Sequence, residues 1–127
     1  MHKSFGILGA LTLLCAACGG SPTSPSEAAT YSPTQDPATA TSLTYTRDIQ
    51  PILSADCTAC HSPSQRSGGY DFTTYAGVMR AVTAGSAQSI LVRATLPSGS
   101  MYRNFRGSPT VKSDTIKRWV VDFGAVQ

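Results

Sequence analysis

The stretch Asp48-Ile49-Gln50-Pro51-Ile52-Leu53-Ser54-Ala55-Asp56-Cys57-Thr58-Ala59-Cys60-His61 decides how this chain of 127 residues is read. Its first half has the marks of a helix start. Asp48 suits a capping position, and Pro51 falls in the first turn, where a missing N–H is harmless. Ile49, Ile52 and Leu53 recur at i, i+3, i+4, which predicts a short amphipathic helix. Its second half sets two thiols about one helical turn apart and an imidazole directly behind the second.

Downstream, a loop rich in Ser, Pro and Gly covers Ser62 to Gly69. Thr74 to Val82 predicts a helix with Tyr75, Val78, Met79 and Val82 on one side. Ser89 to Leu96 predicts another, with Ile90, Leu91 and Ala94 together. The last helix is the clearest. Ser113 reads as its N-cap, Asp114 suits its first turn, and Ile116, Trp119, Val120 and Phe123 recur at i, i+3, i+4, i+7. Gly124 falls where a C′ glycine belongs. No run alternates at period two, so residues 44–127 are expected to form an all-α domain.

Upstream, Met1-His2-Lys3 precedes an apolar run of ten, Phe5 to Leu14, and the small residues Ala16 and Ala17. This is the three-part form of an export signal, too short for a membrane anchor. Its end, Leu14-Cys15-Ala16-Ala17-Cys18-Gly19-Gly20, resembles a bacterial lipoprotein signal. The resemblance implies cleavage after residue 17 and a lipid on Cys18, with Cys15 standing where leucine is usual. Residues 18–43 then read as a disordered Ser/Thr/Pro/Ala linker, with Pro22, Pro25, Pro33 and Pro37 opposing any helix. From Gly19 on it would reach ~25–30 Å as a coil and up to ~85 Å stretched. The expected address is the periplasmic side of a bacterial cell envelope.

Composition narrows the classes. The formal charge is +3, too mild and too dispersed to argue for nucleic acid. No run reaches the ~18 apolar residues that cross a bilayer, and the length allows one small domain, so neither a polytopic membrane protein nor a multidomain enzyme fits. Helices this short bury little between them, and domains of this size often rely on a disulfide, a metal or a cofactor. With Cys15 removed in the signal and Cys18 carrying lipid, Cys57 and Cys60 remain, too close together for a useful disulfide loop.

Cys57-Thr58-Ala59-Cys60-His61 is the C-x-x-C-H of covalent haem attachment. Two thiols at that spacing match two haem vinyl groups, and the following histidine supplies the proximal axial nitrogen. Zinc asks for four ligands, and the only other histidine, His2, lies in the signal. A thioredoxin-like redox pair needs a strand before it and a βαβ frame, and the sequence offers neither.

From these residues the chain resembles class I c-type cytochromes, and most closely the small exported monohaem modules. Asp48-Ile49-Gln50-Pro51-Ile52-Leu53 ahead of the motif, Phe72-Thr73-Thr74-Tyr75-Ala76-Gly77-Val78, Ser89-Ile90-Leu91, Trp119-Val120 and Gly124-Ala125 carry the likeness across nearly all of residues 44–127. It implies an N-terminal helix crossing a C-terminal one beside a haem c held by Cys57 and Cys60. It also implies a methionine sixth ligand from a loop before the last helix. Met101 has that position, 40 residues past His61, although Tyr102 stands where proline is common. Met79 lies within a helical stripe and reads as core. His61 and Met101 would fill the iron's coordination sphere and leave one-electron transfer rather than catalysis as the activity.

The resemblance implies a monomeric carrier exchanging electrons with redox protein partners and held to a membrane through Cys18. The rivals are a haem relay within a larger respiratory or photosynthetic complex, and a sensor or weak peroxidase with an open sixth position. Arg93, Arg103 and Arg106 are candidate propionate partners, as are Tyr70 and Tyr102, against the plainer reading of a solvated basic face. Residues 44–127 carry nine basic and five acidic side chains, a mild excess suited to steering an acidic partner. Trp119 and Tyr75 read as core packing against the porphyrin rather than as electron relays.

Overall fold

A computed structural model describes residues 35–127. The chain is mainly helical. A π-helical turn, Tyr45–Ile49, runs directly into α1, Gln50–Asp56. A two-residue hairpin follows, β1 His61–Ser62 with antiparallel β2 Gln65–Arg66, pairing His61 with Arg66. Then come α2, Tyr75–Met79, α3, Ile90–Thr95, and α4, Pro109–Val121. No helix among the described residues is long and apolar enough to cross a membrane.

The first helix starts one turn before its expected cap. Thr44 is the N-cap, and Asp48 reaches back from inside the turn to accept the Thr44 N–H at 2.8 Å and the Arg47 guanidinium at 2.9 Å. Pro51 accounts for the wide turn. It has no N–H to offer the carbonyl four residues back, and its ring crowds that carbonyl, so the preceding turn opens to i→i+5 bonding.

α4 corrects a second expectation. Its N-cap is Ser108 rather than Ser113, in left-handed backbone (φ 48°, ψ 48°), and Pro109 occupies N1. Proline suits N1, where its missing N–H is one of the orphans anyway and its fixed φ is already helical. Ser113 lies one turn inside, buried, beside buried Lys112. Gly124 takes the left-handed conformation expected of it (φ 64°), one place beyond C′. It is followed by Ala125 (φ 57°), and together they fold the tail back.

The tail closes the domain. Val126 O accepts the Trp119 indole N–H at 2.8 Å and the Tyr45 amide at 3.0 Å, while Ala125 O accepts the Tyr75 hydroxyl at 2.8 Å. Tyr45 packs edge-on against Tyr75 and beside Trp119, with ring centroids 5.2 and 6.1 Å apart. Trp119 lies in the core with Ile49, Ile52, Leu53, Val78, Ile116 and Val120, and half-buried Tyr75 packs against it; neither ring lines the cavity described below, so neither stands where packing against a porphyrin would need it. The N-terminal turn and α3 both pack against α4.

The packed region begins earlier than residue 44. Asp36 caps a turn through Ala38 N–H at 2.8 Å, and Ala40 and Leu43 are buried in the core. Arg118 donates to Ala40 O at 3.3 Å and ties this segment to α4. Residues 36–43 therefore belong to the domain rather than to the linker. The export signal, Cys18 and the linker as far as residue 34 lie outside the described residues.

Candidate functional site

Three segments wall a cavity of about 740 Å³, within the ~300–1,000 Å³ usual for cofactor sites. The first wall follows α1. The Cys57 N–H donates to Leu53 O at 2.8 Å, and the His61 N–H donates to Cys57 O at 2.9 Å, so a further turn carries both thiols and the imidazole. Cys57 and Cys60 are free thiols, the first partly buried and the second exposed. The hairpin then turns the chain back. Phe72 donates its N–H to His61 O at 2.8 Å and stacks its ring on the imidazole, centroids 4.7 Å apart at 28°. Held this way, His61 has its Nδ1 buried without a hydrogen-bond partner.

α3 forms the second wall through Ile90, Leu91, Ala94 and Thr95. The third runs from Ser100 to Arg106 and includes Met101 and Phe105. Its anchor is a close approach to α3. The Met101 N–H donates to Ala94 O at 2.9 Å. A Cβ on Gly99 would lie 2.3 Å from that same oxygen, so only glycine lets the loop descend there. Asn104 Nδ2 sits 3.5 Å from the Met101 sulfur as a donor.

An ion pair joins the first and third walls. Lys112 Nζ donates to Asp56 Oδ2 at 2.6 Å and also to Arg106 O, and the Arg106 N–H donates to Asp56 Oδ1 at 3.2 Å. Both side chains are almost wholly shielded from solvent. Burial pushes the Cys57 thiol up to about 12; the Asp56 charge and Cys60 add to that rise, and the Lys112 charge opposes it.

Cys57, Cys60, His61 and Met101 thus line one cavity, together with Arg103, Arg106 and Tyr70. Arg93 lines an adjoining recess with Leu96 and Ser98. The Tyr102 hydroxyl is engaged with Thr110 at 3.0 Å instead. Met79 packs against the core and is absent from the wall. The sequence reading passed over Asp56 and Lys112 as a pair, Phe72 as the histidine's neighbour, Gly99 and Asn104. Pro109 was the available signal for Lys112, because a helix starting there turns position 112 inward.

Among the described residues no three His, Cys, Asp or Glu side chains converge to hold a metal ion. A porphyrin brings four of its iron's ligands with it and asks the protein only for axial donors and a dry enclosure. One imidazole, one thioether, two thiols and apolar walls fit that request. No protein-family model matches the chain, and no curated protein or solved structure is detectably similar to it.

Proposed function

We propose that this chain is a monohaem c-type cytochrome, an exported one-electron carrier tethered to the membrane by a lipid on Cys18. One observation carries the reading: the two thiols, the imidazole and the Met101 side chain, spread over 45 residues of sequence, line a single apolar cavity. Cys57 and Cys60 would hold a haem through thioether bonds, His61 would supply the proximal nitrogen and Met101 the distal sulfur. Bound there, haem supplies the ferric–ferrous couple.

The protein's own residues set the conditions for that couple. Phe72 fixes the imidazole plane by stacking and, through its backbone, the histidine carbonyl. The Gly99 approach and the Ala94 carbonyl hold the methionine loop against α3. Ile90, Leu91, Ala94 and Phe105 give the wall beside it an apolar surface. A soft thioether donor favours ferrous iron and raises the potential, and a filled coordination sphere disfavours oxygen or peroxide binding. Arg103 and Arg106 leave positive charge on the cavity wall, suited to propionates or an acidic redox partner.

The test is expression in a host with haem-attachment machinery. Pigment that survives acid–acetone extraction supports the reading, and a colourless folded product refutes it. Met101→Ala should then abolish the sulfur-to-iron charge-transfer band of the oxidised protein and open the reduced protein to carbon monoxide.

A further inference from the structure

A buried ion pair is weak evidence for stability, because desolvating two charges consumes much of their attraction and an apolar pair of similar volume often does as well. The Asp56–Lys112 pair therefore asks for a role beyond holding the fold. Its placement suggests one. Asp56 immediately precedes Cys57 on the first wall, and Arg106 closes the third wall, which carries Met101. The Asp56 carboxylate takes the Arg106 N–H on one oxygen and the Lys112 ammonium on the other, and the ammonium returns to Arg106 O. Among the described residues, no other hydrogen bond joins residues 56–61 to residues 100–106.

We propose that Asp56 and Lys112 are positioning residues: with the Arg106 backbone they form a clamp that sets the spacing between the His61 wall and the Met101 wall and so keeps the methionine on the iron. The proposal rests on the haem reading above. The geometry suits the task. A carboxylate at one end and an ammonium at the other, each with more than one partner, resist shear as well as separation, which greasy side chains sliding past each other do not. Closure is also independent of the cysteines, so the haem can stay covalently attached while the sixth ligand is lost.

The experiment uses the holoprotein. The double variant Asp56→Leu with Lys112→Met removes both charges of the pair and is compared with the parent. Three quantities are read: acid–acetone-resistant haem, the sulfur-to-iron band with carbon monoxide binding, and the melting temperature. The clamp predicts attached haem and a melting temperature close to the parent's, with the band lost and carbon monoxide taken up. A double variant that retains the band and excludes carbon monoxide overturns the clamp. Should that variant not accumulate, Asp56→Asn, which keeps an acceptor but loses the charge, decides on the same band. Asp56→Glu, which restores the carboxylate, should recover it at least in part. A parent without attached haem, or without the band, overturns the haem reading itself, and the two failures are thereby told apart.

Discussion

The wall that carries Cys57, Cys60 and His61 is held by its neighbours in sequence, whereas the wall that carries Met101 depends on residues far away. The first takes its shape from the end of α1, from a backbone bond four residues long and from a two-residue hairpin. The second leans on α3 through Ala94 and is fastened by contacts to Asp56 that span 50 residues from Arg106 and 56 from Lys112. A site of this kind has one side that forms almost by itself and another that exists only once the tertiary structure is complete. On the haem reading proposed above, covalent attachment would belong to the first side and the choice of sixth ligand to the second.

The contrast can be broken at several points. The largest effect is expected from Asp56→Leu alone, which strands the Lys112 ammonium in the interior. Breaking a buried pair from one side costs about 3–5 kcal/mol, to be read by urea denaturation of the apoprotein. Gly99→Ala comes next, at about 1–3 kcal/mol, because a methyl group 2.3 Å from a carbonyl oxygen forces the backbone apart. In the loaded protein it should weaken the sulfur-to-iron band and leave haem attachment intact. Phe72→Leu attacks the other wall. Losing the stacked ring should cost about 0.5–1.5 kcal/mol beyond the lost area and broaden the histidine ring signals in NMR spectra.

The smallest effect at neutral pH, and the most selective, concerns the Cys57 thiol of the chain without haem. Its folded value, about 12, stands above the ordinary value of 9.0. The stability that comes from keeping the thiol neutral is fully present below pH 9 and is lost as pH rises toward 12. Cys57→Ala should flatten that alkaline decline in a denaturation series and leave the curve below pH 8 in place. A decline that persists unchanged in the variant assigns it to another group.

Much of this arrangement is legible in the sequence where cause and effect are close together. The turn that bears Cys57, Cys60 and His61 follows from their spacing, and α3 appears within a residue of its expected bounds because Ile90, Leu91 and Ala94 carry a helical period. Met101 reaches the expected cavity because a loop before the last helix has little freedom to go elsewhere. What escapes is set at a distance. Leu43 stands in a polar tract, and nothing around it signals that it will be buried in the core. Lys112 looks like a surface residue because lysine is almost never buried unpaired, and its partner is on another helix. The start of α4 escapes too: Ser113 is a good capping residue, yet the helix begins at Pro109, the residue with the firmer physical preference.

The tail that Gly124 and Ala125 turn inward has a consequence for how the domain comes apart. The carbonyl that joins Tyr45 to the Trp119 indole belongs to Val126. A single oxygen thus ties the first turn to α4, so fraying there frees both partners at once and couples their local opening.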